Sequence, residues 1–313
     1  MKIVTLDADT LPLPLPQPYF CSDWVYRGAT SPDEVVSMLQ GAEVAITNKV
    51  KLRAETLRQL PSLRYICVAA TGYDCVDIDV CRELGIAVSN VPGYSTTGVA
   101  ETVIGYLFAL RRHLLEYHHK AVTEWVNAPH FCIHGSAIQD IHGSTLGIIG
   151  KGDIGSAVAV RAQALGMKVL YAEHKHATAV RAGYTPFDDV LAHSDILTLH
   201  CPLTESTRHL IDEASLQKMK PGALLINTAR GPLLDEHAVA QALRQQALGG
   251  VAVDVLSEEP PRAGSPLLDS TLPNLIVTPH IGWASAHSVK NLIAGLSANL
   301  DGWQRREILN RVA

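Results

Sequence analysis

Short apolar runs alternate along this chain with segments whose apolar positions recur every three or four residues. The runs have the character of strands buried on both faces, and the periodic segments that of helices lying on them. Together they predict parallel sheets covered by helices. In the first third the strands fall at KIVTL (2–6), EVAIT (43–47), RYICV (64–68) and IAVS (86–89), with helices over 32–40, 52–60 and 75–84 between them. LPLPLPQP (11–18) cannot be helix or central strand and reads as a surface loop.

The texture changes after PGYST. A long helix follows, with apolar residues at 99, 103, 107, 110 and 114, and reads as a bridge between two domains. Strands resume at STLGIIG (144–150), MKVLYA (167–172), DILTLH (195–200), ALLINT (223–228), VAVDV (251–255) and LIVTP (275–279). From about 284 the chain is one long amphipathic helix. The second α/β unit therefore holds six or seven strands, the size of a dinucleotide-binding fold, and the first four or five.

Composition narrows the class. The chain has 313 residues, 47% of them hydrophobic and 18% charged, with a net charge of −5. A mildly acidic chain without a basic block argues against nucleic acid or a membrane surface as partner. No apolar stretch reaches the ~18 residues of a membrane helix. Six scattered cysteines without a CxxC pair read as reduced core residues of a cytoplasmic protein. The 14 histidines show no paired zinc-ligand spacing, so no metal is expected.

Two features carry chemistry. The first is Gly150-x-Gly152-x-x-Gly155, between an apolar strand and an alanine-rich helix. Gly150 permits the tight turn, Gly152 lets the backbone approach a pyrophosphate, and Gly155 lets helix pack on strand. The next strand ends in Glu173, 18 residues past Gly155, where a carboxylate accepts from adenosine ribose hydroxyls. That favours NAD over NADP, although the following HKH could tolerate a phosphate.

The second feature is three late strands that end in ionisable residues. LLINTARGPLLDE delivers Arg230, VAVDVLSEEP delivers Asp254 and then Glu259, and LIVTPH delivers His280. Parallel sheets bind ligands at their carboxyl ends. Hydride transfer to a ketone builds negative charge on oxygen, which a protonated imidazole can meet. A neighbouring carboxylate orients the imidazole, and a guanidinium can clamp an anionic substrate.

An ordered set of motifs spans the chain: ATGYDCVDID (70–79), NVPGYSTTGVAE (90–101), STLGIIGKGDIG (144–155), LHCPLTEST (199–207), INTARGPLLDE (226–236), DVLSEEP (254–260) and TPHIGWAS (278–285). It resembles the D-isomer-specific 2-hydroxyacid dehydrogenases, of the glycerate dehydrogenase/hydroxypyruvate reductase type. The resemblance implies two Rossmann-like or flavodoxin-like parallel-sheet domains with a cleft between them. The substrate-binding domain would comprise 1–95 and 286–313, and the NAD-binding domain 96–285.

It also implies NAD-dependent interconversion of a small 2-keto acid, hydroxypyruvate or glyoxylate, with D-glycerate or glycolate. Arg230, Glu259 and His280 match the catalytic positions. Ala70, Thr71 and Gly72, with Arg230 and His280, match the substrate-binding positions. Cofactor contacts carry over to Thr97, Asp153, Ile154, Glu173, Cys201, Pro202, Thr207, Thr228, Asp254 and Gly282, beside the three glycines, with Asp254 accepting from the nicotinamide carboxamide. The 99–140 helix and arm would form a homodimer. Phosphite or another small anion as substrate, or a purely NAD-sensing role, are the alternatives.

Overall fold

The structure, a computed structural model, describes residues 1–313. The chain divides into two compact units, Met1–Ser95 with Trp283–Ala313, and Thr96–Gly282.

The first unit is built on five parallel strands: β1 (Lys2–Thr5), β2 (Asp23–Tyr26), β3 (Val44–Thr47), β4 (Tyr65–Val68) and β5 (Ala87–Ser89). Their order is β2-β1-β3-β4-β5, the flavodoxin-like arrangement. Every residue of β3 and β4 is buried, which is why these strands read as unbroken apolar runs. Alternate side chains serve opposite faces. Ile66 and Val68 pack with Leu39, Leu57 and Cys81, from the region of helices α1 (Val35–Leu39), α2 (Ala54–Leu57) and α3 (Ile78–Leu84). Tyr65 and Cys67 face Leu292, Leu296 and Leu300 of the C-terminal helix, Ala286–Gln304. The four-residue spacing of those leucines puts them on one stripe, and Trp303 stacks on Tyr65 with ring centroids 4.8 Å apart.

Strand β2 is absent from the sequence reading. It is an edge strand with no fully buried residue, so no apolar run marks it. The proline-rich loop before it is not idle, because Leu11 and Leu15 are buried in the same core as Ile3 and Ile46.

In the second unit helix α4 (Thr96–Arg111) buries Val103, Leu107 and Leu110 against Val158, Ala159 and Ala162 of helix α6 (Asp153–Ala164). The expected long helix does not run on. His113 takes a left-handed conformation (φ 49°) and helix α5 (Leu114–Thr123) starts afresh, burying none of its residues.

Six parallel strands follow: β6 (Thr145–Ile149), β7 (Lys168–Ala172), β8 (Ile196–Leu199), β9 (Ala223–Asn227), β10 (Leu248–Val253) and β11 (Leu275–Val277). Their order is β11-β10-β9-β8-β6-β7. Beyond β7, Thr185 makes a single parallel bridge to Ala172. Counting that bridge as a vestigial third strand, the order is the 3-2-1-4-5-6 of a Rossmann sheet with one more strand at the far edge. Helices α7 (Phe187–His193), α8 (Glu213–Leu216) and α9 (Glu236–Arg244) complete the cover. The topology reverses between β6 and β8, where a crevice opens at the strands' carboxyl ends.

Leu107 is fully buried, so Leu107→Ala should cost about 2–5 kcal/mol. Chemical denaturation of the variant should show a lowered midpoint. The same truncation at exposed Val160 should change stability by less than about 0.5 kcal/mol.

Candidate functional site

The loop between β6 and α6 forms a cradle from three glycines with three different constraints. Gly150 has φ +103°, and a Cβ there would lie 2.6 Å from the backbone nitrogen of Cys201. A Cβ on Gly155 would lie 2.0 Å from the Gly150 carbonyl oxygen, so only glycine lets α6 sit this close to β6. A Cβ on Gly152 would meet nothing within 4 Å. Gly152 caps α6, and no side chain takes the first-turn N–H groups. Asp153 and Ile154 form that turn. An open face backed by free N–H groups at the positive end of a helix dipole fits a pyrophosphate.

Beside the cradle lies a cavity of about 250 Å³ lined by residues that include Gly150, Lys151, Glu173, Arg181, Cys201 and Thr207. Thr207 pins one wall, since its hydroxyl donates to the Pro202 carbonyl (2.8 Å) and accepts from the Thr204 N–H (2.7 Å). Burial pushes the Cys201 thiol up to about 11, so it remains a neutral wall group.

Glu173 sits where sequence spacing places it, but it has a partner that sequence spacing does not name. Its carboxylate is almost wholly buried and accepts from the Arg181 guanidinium through Nε (2.8 Å to Oε2) and Nη2 (2.6 Å to Oε1). The backbone N–H groups of Arg181 (3.0 Å) and His174 (2.9 Å) fill the rest. Led by the Arg181 hydrogen bonds, these contacts hold the carboxyl down at about 2.

At the other end of the sheet, β9, β10 and β11 are neighbours, with Asn227 opposite Val253 and Val253 opposite Val277. The residues just past them therefore share one edge. Asn227 is fully buried at the end of β9, and its side chain closes the turn that follows. Its Nδ2 donates to the Arg230 carbonyl (2.8 Å) and its Oδ1 accepts from the Ala229 N–H (3.0 Å). That turn is why a buried strand delivers a guanidinium to its own end.

Asp254, one residue past β10, is also buried. Its Oδ1 accepts from the Thr278 hydroxyl (2.5 Å) and the Ile281 N–H (2.9 Å), and its Oδ2 from the Gly282 N–H (2.8 Å). Thr278 spends its one hydroxyl proton on Asp254, so in its contact with Tyr106 the phenol donates. These bonds bracket His280, which adopts φ +55°, a strained region for a residue with a Cβ. Its Nδ1 lies 2.7 Å from Glu259 Oε2, while Glu259 Oε1 accepts from the Leu256 N–H (3.0 Å). The carboxylate is thus fixed at both oxygens and fixes the ring in turn.

Thr228 follows β9, with its hydroxyl buried and without a partner inside the chain. Thr97 lies exposed in the first turn of α4. In the first unit, Ala70, Thr71 and Gly72 follow β4. The Ala70 carbonyl accepts from the Val91 N–H (3.0 Å), and the Thr71 carbonyl from Asn90 Nδ2 (2.7 Å). The Thr71 hydroxyl donates to the Val91 carbonyl (3.0 Å). The loop is held through its carbonyls and this hydroxyl. Sequence reasoning misses four positioning side chains: Tyr106, Arg181, Asn227 and Thr278. Asn227 and Thr278 sit inside recognisable motifs, whereas Arg181 lies in a loop without periodicity.

Known proteins are similar to this chain in sequence and fold. A family model described as D-isomer specific 2-hydroxyacid dehydrogenase, NAD binding domain, matches residues 104–282. Glycerate dehydrogenase of Methylorubrum extorquens is 44% identical over 304 residues, covering 96% of this chain and 96% of that protein. Hydroxypyruvate reductase of Blautia hydrogenotrophica is 35% identical over 288 residues, covering 90% and 88%. The solved D-lactate dehydrogenase of Aquifex aeolicus, complexed with NAD and lactic acid, superposes with a TM-score of 0.80 at 28% identity, covering 93% and 92%. The chain belongs to the D-isomer-specific 2-hydroxyacid dehydrogenase family. It is an oxidoreductase whose cofactor is NAD, and the open glycine cradle fits that dinucleotide.

The depressed Glu173 pKa has a consequence with a definite sign. Its folded value, about 2, lies below the ordinary 4.5. Its contribution to stability is therefore present in full above the ordinary value and is lost as pH falls through the folded one. Thermal midpoints measured between about pH 2 and pH 5 should climb with pH, and Glu173→Gln should flatten part of that climb. A slope unchanged in the variant would remove Glu173 from the acid transition.

Proposed function

We propose that the chain reduces a small 2-keto acid, hydroxypyruvate or glyoxylate, to D-glycerate or glycolate with NADH. The observation that carries this reading is the His280–Glu259 pair, 2.7 Å apart, on the sheet edge that also holds Arg230 and Asp254. With Nδ1 held against Glu259, Nε2 is the ring nitrogen we assign to give its proton to the substrate oxygen. NADH, when bound, would supply the hydride to the carbonyl carbon. The C=O π pair would then move to oxygen, and His280 Nε2 would give that oxygen its proton. Solvent then reprotonates the imidazole.

Arg230 presents a planar fork to the substrate carboxylate and reacting carbonyl. The N–H groups of the Ala70–Gly72 loop serve the carboxylate. Asp254 accepts from the nicotinamide carboxamide, for which Oδ2 retains one lone pair beyond the Gly282 bond. Gly150, Gly152, Asp153, Ile154 and Gly155 hold the pyrophosphate, and Thr97, Cys201, Pro202, Thr207, Thr228 and Gly282 shape the rest of the dinucleotide site.

The protein acts as a homodimer in the cytoplasm. Leu114, Leu115, Val122, Trp125, Val126 and Phe131 are all exposed on or just after α5, an apolar surface expected of an interface. All six cysteines are free, as a reducing compartment keeps them.

The reading is tested by NADH oxidation with hydroxypyruvate, glyoxylate, pyruvate and a bulky aromatic keto acid. Fast turnover of the first two is expected. Silence across the panel while NADH binds would move the assignment to phosphite or another small anion, or to NAD sensing. His280→Ala should lower kcat on hydroxypyruvate by about 10²–10⁴-fold while NADH affinity holds within about twofold. Survival of kcat within a few-fold would remove His280 as the acid. Arg230→Lys should raise KM for the keto acid and lower kcat, because a point charge cannot reproduce the fork. An unchanged KM would take Arg230 out of substrate binding.

A further inference from the structure

The end of the second strand of a Rossmann sheet is where a dinucleotide's adenosine ribose lies. Here that strand is β7 and its last residue is followed by Glu173. A carboxylate at this point selects NAD when it is free to accept from the 2′-hydroxyl and to repel a 2′-phosphate. Glu173 is not free in that sense. A carboxylate has about four lone-pair positions, and here two backbone N–H groups and a bidentate guanidinium take them. Its charge is matched by Arg181 at 2.6 Å.

Arg181 itself is about half exposed on the cavity wall. Its Nε and Nη2 face Glu173, while its Nη1 makes no hydrogen bond within the protein. The guanidinium lies over the Tyr184 ring, 4.1 Å from the centroid. Lys151, from the glycine loop, lies over Tyr171 at 4.6 Å and reaches the same Tyr184 ring at 5.3 Å. Two cations thus share one aromatic platform, whose faces attract positive charge. Lys151 forms no ion pair. Lys175, the third cation lining the cavity, is committed to Asp212 at 3.0 Å. With each carboxylate matched to its own partner, this corner of the cavity keeps a net positive charge from Lys151 and free N–H donors from Arg181.

We propose that Arg181 and Lys151 form a 2′-phosphate subsite, so that the chain binds and uses NADPH as well as NADH, and that Glu173 is the counter-ion that positions Arg181 rather than a gate against phosphate. The unphosphorylated ribose is still served, because its hydroxyls can accept from Arg181 Nη1. The proposal rests on the dinucleotide site described above, and the probes separate the two.

The test is calorimetric titration of the intact protein with 2′,5′-ADP and with 5′-AMP, which differ only in the 2′-phosphate, alongside KM for NADPH and NADH. The 2′-phosphate should tighten binding by about tenfold at low salt, and the gain should shrink as salt rises. Lys151→Met should remove most of that gain and leave 5′-AMP within about twofold. Arg181→Gln alone would strand a buried carboxylate and could fail to fold. The double variant Arg181→Gln with Glu173→Gln removes both charges, and should abolish the gain while 5′-AMP still binds. Glu173→Gln alone should raise the affinity for 2′,5′-ADP relative to 5′-AMP, because it removes the negative charge nearest the 2′-phosphate. If 5′-AMP binds and 2′,5′-ADP binds no tighter, the phosphate subsite is wrong and the dinucleotide site stands. If neither nucleotide binds, the dinucleotide site fails and takes the proposal with it. Loss of NADH affinity in Glu173→Gln, without a gain for 2′,5′-ADP, would restore Glu173 as the ribose acceptor.

Discussion

Asp254 is the group on which the chemistry-bearing edge of the second unit depends. A buried carboxylate must be hydrogen-bonded, and it takes its donors from Thr278, Ile281 and Gly282, on either side of His280. Those bonds offset the cost of placing a non-glycine residue at positive φ, and they aim the imidazole toward Glu259. Gly282 is part of the same device, since a Cβ there would lie 2.9 Å from Asp254 Oδ2. Tyr106 extends the network to α4 through Thr278. A helix from the start of the unit is thereby tied to the strand end that carries His280.

The two ends of the cofactor site solve opposite electrostatic problems. At the β9–β11 end, where the proposed reaction would develop charge, the groups are oriented by fixed hydrogen bonds: His280 Nδ1 to Glu259, and Asp254 to the N–H groups of Ile281 and Gly282. At the β7 end nothing reacts and the task is recognition. There a carboxylate is saturated and an arginine is presented. The same residue type, an acidic group one step past a parallel strand, serves in one place as an organiser of a loop and in the other as the anchor of a cation.

Much of this was legible in the chain. Central strands such as β3, β4, β8 and β9 are buried throughout and announce themselves as apolar runs. The glycine spacing reads directly because Gly150 and Gly155 sit where a Cβ would collide with backbone and Gly152 leaves the face before α6 open. Arg230, Asp254 and His280 read directly because strand ends are where a parallel sheet binds. What stayed hidden depends on contacts between distant residues or on half-exposed positions. Strand β2 lies at an edge, the third strand of the second sheet shrinks to Thr185, and the helix break at His113 carries neither glycine nor proline. The pairing of Glu173 with Arg181 joins residues eight apart across an irregular loop, and no periodicity predicts it.

The role of Asp254 is to hold His280 in place. It is tested most directly by the single-turnover rate of NADH oxidation by hydroxypyruvate in Asp254→Asn, with both reactants saturating. Asparagine keeps the size but replaces one acceptor oxygen with a donor that faces N–H groups. A fall of about 100-fold with the fold intact by circular dichroism is the predicted result. A rate within a few-fold of the unaltered protein would contradict the account, because His280 would then hold its place without the carboxylate beneath it.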